Sequence, residues 1–328
     1  MKKALKVFTF VLVLTIALST VLTGCSNKEQ ILIYTSVEDY VSEDLEARLK
    51  AQFPDYDITV EYVSTGEHAA RLKAEGVNAE CDITYDLEYA YLSQLEKEGI
   101  LADLSEYDQS IYVDDAVVSK NYLVQCRVGG AIILNTSVLK DKGLAEPTSY
   151  ADLLKPEYKE LISMPNPKNS GTGYMFYKSL YNAWGEEKTL KYFDDLTPNI
   201  LQYTTSGSGP VNALLSGEVA IGFGMTSQAV KEINDGAPLK IVYFEEGSPY
   251  TMYGMSIIKG KEERESVKEV FDFLVKTYNY ELNEKFFPEQ MFKDITPTLE
   301  NYPTNIAYSD MKNNTIEEKE KLVSIWKY

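Results

Sequence analysis

Short β-rich segments alternate with amphipathic helical segments along the chain, and this alternation most constrains the fold. The order strand, helix, strand, helix, strand occupies residues 31–35, 42–53, 57–63, 67–75 and 81–85. It predicts an α/β fold with a right-handed, mostly parallel sheet, because strand–helix–strand units place their strands side by side in one direction. Ligands of such sheets bind in the loops beyond the carboxyl ends of the strands.

The second half of the chain repeats this pattern. Strands are predicted at residues 128–134, 161–164, 219–224 and 253–259, and helices at 173–184 and 266–278. About 300 residues exceed the usual size of a single core, so we expect two lobes. We assign residues 31–127 together with 253–328 to lobe 1, and residues 128–252 to lobe 2.

Two glycine-containing segments are candidate hinge crossovers between the lobes. They are Gly129-Gly130 and residues 250–254. Glycine permits the changes of backbone direction that hinge strands need. Ordinary turn or bulge glycines within a single lobe would leave the same signature, so both interpretations stay open.

The N-terminus has the features of a secretory signal peptide. Lys2, Lys3 and Lys6 precede an apolar run at residues 7–21, which is shorter than the roughly 20 residues of a membrane span. The ending Leu-Thr-Gly-Cys at residues 22–25 resembles the lipobox of bacterial lipoproteins, which implies lipidation of Cys25. We therefore predict that residues 1–24 are removed and residues 25–30 form a lipidated tether; an uncleaved anchor helix is the alternative.

Charge and cysteine content exclude several classes of protein. Removing residues 1–24 takes the formal charge from −18 to −21, and so acidic a chain is a poor nucleic-acid binder. After Cys25 only Cys81 and Cys126 remain, which excludes a disulfide scaffold and a paired zinc motif. One disulfide between them and two free thiols are both compatible with the sequence.

The chain lacks the common catalytic motifs. It has no HExxH, no G-x-S-x-G and no Walker-type phosphate loop, and its one histidine is His68. A Ser-His or Cys-His dyad would have to use that residue. We expect no enzymatic activity and no cofactor.

Eight segments, taken in order, resemble the extracellular solute-binding proteins of ABC importers, in the branch of ferric-iron, sugar-phosphate and aminophosphonate binders. They are IYTS at 33–36, RLKAEG at 71–76, LEKEGIL at 95–101, NT at 135–136, PTSYADLL at 147–154, MPNP at 164–167, SGTGY at 170–174 and GEVAIG at 217–222. The resemblance implies a two-lobed, type II-like periplasmic-binding fold that closes on its ligand at a hinge. It also implies a monomer outside the cytoplasm, with a small solute and permease subunits as partners.

The segment at residues 166–173 is the leading candidate for an anion site. It ends a predicted strand and opens a helix, where free N–H groups and the helix dipole favour negative charge. Ser170 and Thr172 add hydroxyl donors, and Gly171 allows close approach to the backbone. A simple helix cap is the alternative, but the resemblance implies contact with a phosphate, a phosphonate or a synergistic anion.

Further candidate residues follow other predicted strands. In lobe 2, Ser206, Gly207 and Ser208 precede a second predicted helix at 211–216, although a flexible loop is equally compatible with this sequence. In lobe 1, Ser36 follows the first strand, and Thr65 and Gly66 lie in the turn after the second. Ser64 or Thr65 would equally serve as a helix cap.

Tyrosines and carboxylates raise the question of a metal or a cationic ligand. Iron-binding relatives carry adjacent tyrosines where this chain has FGMTSQA at 223–229, so the familiar iron ligands are missing. We expect His68 to be a surface residue. Tyr85, Asp86, Glu246 and Tyr250 are candidates for binding hydroxyls or an ammonium group, with solvated loop positions as the alternative.

The leading hypothesis is therefore a lipid-anchored binding protein for a small phosphorylated or phosphonate solute. Ferric iron with a bound anion is the second hypothesis. A surface lipoprotein that acts as a sensor or an adhesin, without transport, is the third.

Overall fold

The computed structural model describes residues 28–289, 291–294 and 298–328. The predicted signal peptide and residues 25–27 of the predicted tether, Cys25 included, lie outside these residues. Within the described part, no helix is both long and apolar enough to cross a membrane. The strands are β1 Glu29–Thr35, β2 Tyr56–Tyr62, β3 Ile83–Glu88, β4 Leu123–Asn135, β5 Ile162–Pro165, β6 Ile200–Thr204, β7 Ile221–Met225, β8 Leu239–Val242 and β9 Tyr250–Ile257.

The α-helices alternate with these strands and cover the sheet. They are α1 Asp39–Gln52, α2 Thr65–Glu75, α3 Tyr89–Lys97, α4 Thr136–Asp141, α5 Gly171–Trp184, α6 Glu186–Leu196, α7 Gly209–Leu215, α8 Thr226–Asn234, α9 Glu265–Phe273, α10 Asn279–Lys285 and α11 Ile316–Ile325. A π-helical turn, Leu274–Tyr278, joins α9 to α10. The predicted α/β class is confirmed.

All nine strands form one continuous sheet in the order β2-β1-β3-β9-β4-β7-β5-β6, with β8 paired to β4. The outer pairs are parallel, as predicted for strands joined through helices. In the centre β9 runs antiparallel to both β3 and β4. The sheet is therefore mixed rather than mostly parallel, because β9 returns from the second half of the chain to complete the first.

The long strand β4 joins the two halves of the sheet. Residues up to Gly129 pair with β9, whereas Gly130 and the residues after it pair with β7 and β8. The change of partner falls at the glycine pair predicted as a crossover. A methyl group on Gly130 would lie 2.7 Å from Met175 and 2.8 Å from Phe176, so glycine lets α5 pack against the strand.

The buried apolar residues form a separate core on each side of this crossover. One contains Ile33, Leu45 and Phe271, and the other contains Phe176 and Phe223. The second core also includes Met311, Leu322 and Trp326. The C-terminal segment, which the predicted division assigns to lobe 1, thus packs these apolar side chains on the core of lobe 2.

Both described cysteines, Cys81 and Cys126, are buried free thiols, which decides between the two alternatives. His68 is fully buried, and its Nε2 lies 3.0 Å from the Thr84 hydroxyl. The expectation of a surface histidine is therefore wrong. His68 lies on the inner face of α2 beside the apolar Ala69 and Leu72, where it packs against the sheet.

Candidate functional site

A cleft of about 260 Å³ lies between the two halves, at the carboxyl ends of the strands. Both halves contribute polar residues to its wall. The residues that line it are Ser36, Glu38, Asp39, Tyr62, Ser64, Thr65, Asp86, Val128, Asn169, Ser170, Gly171, Thr172, Thr205, Ser206, Gly207, Ser208, Asn212, Met225, Tyr253 and Phe287. Its position agrees with the loops in which the sequence analysis sought the ligand.

The start of α5 forms one wall of the cleft. Ser170 is the N-cap residue, and its Oγ accepts a hydrogen bond from the Gly173 N–H at 3.3 Å. Among the described residues, the N–H groups of Gly171 and Thr172 have no hydrogen-bond partner. Ser170 is thus the helix cap of the alternative interpretation, but the cap satisfies only one donor. Two backbone donors at the positive end of a 14-residue helix remain free.

A side chain at position 171 would displace a neighbouring tyrosine. A Cβ atom there would lie 2.3 Å from the hydroxyl oxygen of Tyr253, a buried residue of β9. The backbone of Gly171 is therefore open to a ligand while the space behind it is filled. This is one physical use of glycine in anion sites, where the main chain itself must approach the ligand.

The loop from Thr205 to Ser208 lies beside the start of α5. A Cβ atom on Gly207 would lie 2.4 Å from Oγ1 of Thr172 and 3.5 Å from Oγ of Ser170. The hydroxyls of Ser206 and Ser208 lie 3.2 Å apart. The two Ser/Gly segments predicted in lobe 2 are therefore in contact, and together they offer hydroxyl and N–H donors to one space.

The opposite wall comes from lobe 1 and is acidic. Ser36 follows β1, and its hydroxyl donates to the main-chain carbonyl of Asp86. Thr65 begins α2 and also lines the cleft, and Ser64 occupies the N-cap position without a capping hydrogen bond from its side chain. Glu38 is half-buried and Asp39 is exposed at the rim.

Asp86 is the most unusual residue of this wall. Its φ angle is +57°, and only 6% of its surface is exposed. Burial, with the nearby charge of Glu38, holds the pKa of Asp86 well above its ordinary range. Burial likewise raises the pKa of Glu38 to about 7. Within the described chain no lysine or arginine lines the cleft to offset these carboxylates.

The floor of the cleft is apolar. It consists of Val128 beside the crossover, Met225 at the end of β7, Phe287, and the ring of Tyr253. All four are at least nine-tenths buried. An apolar floor excludes water, so polar contacts with a ligand on the walls are stronger than they would be in solvent.

Four of the predicted site residues do not line the cleft. Tyr85 is fully buried in the lobe 1 core, with its ring 6.4 Å from that of Tyr278. Gly66 faces lobe 2 at the edge, where an added Cβ would lie 3.3 Å from the carbonyl oxygen of Lys168. Tyr250 packs against Tyr308, and Glu246 accepts a hydrogen bond through its main-chain carbonyl. Glu246 precedes β9 and Tyr250 begins it, whereas the part of β9 that lines the cleft is at Tyr253.

Other cleft residues were not singled out by the sequence analysis. They are Glu38, Asp39, Tyr62, Asn212, Tyr253 and the rest of the apolar floor. Glu38 and Asp39 directly follow the predicted loop position of Ser36, so extending that loop by three residues would have found them. Tyr253 and Phe287 reach the cleft only through the fold of the whole chain.

The donor set does not match a metal centre. Among the residues that the structure describes, no group of three or more His, Cys, Asp or Glu side chains could hold a metal ion. The two tyrosines that line the cleft are Tyr62 at the exposed rim and Tyr253 in the floor. Hydroxyl groups, N–H donors and carboxylates suit a small polar organic solute better.

Sequence comparisons identify relatives over most of the chain. The family model described as bacterial extracellular solute-binding protein matches residues 81–319. An uncharacterised protein of Haemophilus influenzae is 27% identical over 332 residues, which cover 95% of this chain and 94% of that protein. The spermidine/putrescine-binding periplasmic protein of Salmonella typhimurium is 24% identical over 200 residues, covering 57% of this chain and 56% of that protein.

A solved structure also shares the architecture. The periplasmic binding protein AfuA from Actinobacillus pleuropneumoniae, with exogenous fructose-6-phosphate bound, is similar with a TM-score of 0.80 and 26% sequence identity. The match covers 92% of this chain and 98% of that chain.

Proposed function

The chain belongs to the bacterial extracellular solute-binding proteins, and we propose that it captures a small phosphorylated or phosphonate solute between its lobes for delivery to a permease. The expected family and the two-lobed fold are confirmed by the family model and by the likeness to AfuA. Members of this family bind solutes for ABC importers rather than catalyse reactions. The anionic nature of the solute and the lipid anchor on Cys25 are part of the proposal.

The free N–H groups of Gly171 and Thr172 carry the proposal for the ligand. They lie at the positive end of α5 with the Thr172 hydroxyl and the Ser206–Ser208 loop beside them. A phosphoryl group has several oxygens that can accept from such donors at once. AfuA, which shares the fold, was solved with a sugar phosphate bound, and this supports the same class of ligand.

The two alternatives receive less support. Ferric iron would need a set of hard anionic ligands around one point, and the walls instead separate carboxylates on lobe 1 from donors on lobe 2. A sensor or adhesin would keep the fold without a permease. Co-purification with permease and ATPase subunits encoded nearby would separate transport from those roles.

The Thr172→Val substitution tests the phosphoryl site. Valine has nearly the bulk of threonine, so the change removes one hydroxyl and leaves the backbone donors in place. Loss of one hydrogen bond to a charged oxygen should weaken binding by roughly 1.5–3 kcal/mol, or about ten- to a hundredfold. Calorimetric titration with sugar phosphates, aminoethylphosphonate and chelated Fe³⁺ provides the measurement.

Thr189→Val is the matched control. Thr189 is also buried in lobe 2, but its hydroxyl donates to the Leu180 carbonyl at 3.0 Å and it does not line the cleft. We expect this variant to lose stability and to keep its affinity. Equal affinity in wild type and Thr172→Val, or binding of iron with no requirement for an anion, would contradict the proposed site.

A further inference from the structure

Beyond the phosphoryl group, we infer that the solute carries a cationic group, and that Asp86 with Glu38 binds it on the wall of lobe 1. This inference rests on the proposed function, because it concerns the end of the same ligand that lies away from the phosphoryl group. A primary amine joined to a phosphate or phosphonate by a short chain has the required chemistry.

The other buried carboxylates have strong donors from the protein, and Asp86 does not. Four aspartate or glutamate side chains in the described residues are at least nine-tenths buried, namely Asp82, Asp86, Glu88 and Glu289. Asp82 bonds to Arg264 at 2.7 Å, and Glu88 bonds to Lys319 at 2.8 Å. Glu289 accepts from the hydroxyls of Tyr302 and Tyr308. Each of these three has strong donors from the protein itself.

Asp86 has no comparable partner. Its Oδ1 is approached only by the Gln125 amide nitrogen at 3.4 Å and by the Cys126 thiol at 4.0 Å. Its Oδ2 has no hydrogen-bond partner within the described part of the chain, although the residue lines the cleft. A buried carboxylate without a cation is costly, so a side chain that faces a ligand cleft in this state indicates that the ligand supplies the partner.

Glu38 strengthens the case from a second element. Glu38 precedes α1, whereas Asp86 lies at the end of β3. The charge of Glu38 is close enough to raise the pKa of Asp86. Two carboxylates that repel each other in one cleft disfavour a dianion nearby and favour a cation placed against both. The phosphoryl donors lie on the other wall, so a solute with both charges would contact both lobes.

A matched pair of ligands tests this inference. Phosphoethanolamine and ethyl phosphate share the phosphoryl group and the two-carbon chain and differ by the ammonium group. We expect wild-type protein to bind phosphoethanolamine about ten- to a hundredfold more tightly, as one charge-assisted contact provides. In Asp86→Asn the preference for phosphoethanolamine over ethyl phosphate should fall to about threefold or less.

Asp114→Asn is the control for charge alone, since the Asp114 side chain is 95% exposed and lies outside the cleft. It should keep the wild-type preference. Glu38→Gln provides a second test on a different element if Asp86→Asn does not fold, and it should reduce the preference in the same direction.

Each outcome has a separate meaning. Equal affinity of wild type for the two phosphates would overturn this inference and leave the proposed function in place. Unchanged preference in folded Asp86→Asn and Glu38→Gln would also overturn it. If neither phosphate binds, or if putrescine binds without any phosphate, the proposed function fails and the inference fails with it.

Discussion

Replacing Lys319 with methionine should destabilise the protein far more than removing an exposed charge from α11. The Lys319 Nζ lies 2.8 Å from Glu88 Oε2, and the two side chains are 3% and 1% exposed. The other Glu88 oxygen accepts from Thr251 at 3.0 Å and from Asn314 at 2.9 Å. The pair connects the end of β3 in lobe 1 with the helix that packs on the lobe 2 core.

The magnitude follows from what the substitution leaves behind. Lys319→Met keeps an apolar stem of similar length but leaves the Glu88 carboxylate buried without a cation. Breaking a buried pair in this way costs about 3–5 kcal/mol. The Lys319 ammonium also lies over the rings of Tyr91 and Tyr174, at 4.1 and 4.5 Å, and these contacts are lost as well. Burial alone would lower the pKa of Lys319, but Glu88 and Tyr91 together raise that pKa above its ordinary value.

Urea denaturation and calorimetry measure the effect. A loss of this size should lower Tm by roughly 6–15 °C in a protein of this length. Lys321→Met is the matched control on the same helix, because its side chain is 55% exposed and its ion pair with Glu186 is at the surface. Such a pair contributes about 1 kcal/mol or less. If Lys319→Met proves as stable as Lys321→Met, the buried pair between Lys319 and Glu88 does not stabilise the fold.

Four further results are expected. Burial lowers the pKa of His68 from 6.5 to about 3, so between these pH values the unfolded chain binds a proton at this histidine and the folded protein does not. The free energy of unfolding of wild type should therefore fall by about 1.4 kcal/mol per pH unit, relative to His68→Gln, in urea titrations from pH 6.5 down to pH 3. Gly171→Ala should weaken phosphate binding, measured by calorimetry, at least about tenfold. The double variant Gly171→Ala/Tyr253→Phe should regain part of this affinity, because it lacks the hydroxyl that the new methyl group meets. Unliganded Asp86→Asn should unfold at higher urea than wild type, since it removes an unpaired buried charge. Cys25→Ser should release the protein from membranes on fractionation; retention after signal removal would contradict lipidation.

The sequence predicted the parts of the fold that depend on local periodicity. Apolar spacing identified the helix at 42–53, which the structure places at Asp39–Gln52, and alternation identified β2. Gly129-Gly130 was one of two candidate crossovers, with ordinary turn or bulge glycines left open, and the change of strand partner in β4 falls at this pair. The antiparallel centre was not predicted, since β9 pairs with strands more than a hundred residues away and nothing in its own sequence specifies that partner.

The packing of the C-terminal segment was not predicted, for the same physical reason. Residues after 253 return to lobe 1 as far as α10, and sequence order alone suggested that the rest would follow. Leu322 and Trp326 instead fill the lobe 2 core, where the Trp326 ring packs 4.9 Å from Phe193 and 5.0 Å from Tyr177. An amphipathic helix such as α11 shows that one face is buried, but its periodicity does not show against which lobe.

Within the candidate site, donors that come from one continuous segment were predictable and single side chains were not. The start of α5 was found because a strand, a turn and a Ser-Gly-Thr-Gly sequence stand next to one another. Tyr85 and Asp86 were both proposed at the end of β3, and only Asp86 lines the cleft. Neighbouring residues of a strand point to opposite faces, and here the register also shifts between Thr84 and Leu87.

That irregular end of β3 links stability to ligand capture. A non-glycine residue with positive φ and a buried carboxylate without a cation both raise the free energy of the unliganded protein. Neither is needed to complete the sheet, because Gln125 already accepts the Asp86 N–H through its side-chain carbonyl at 3.0 Å. In the proposed binding mode, a ligand that places a cation against Asp86 removes the second of these costs. The carboxylate then favours the liganded protein over the unliganded one, which is the difference in free energy that a capture protein requires.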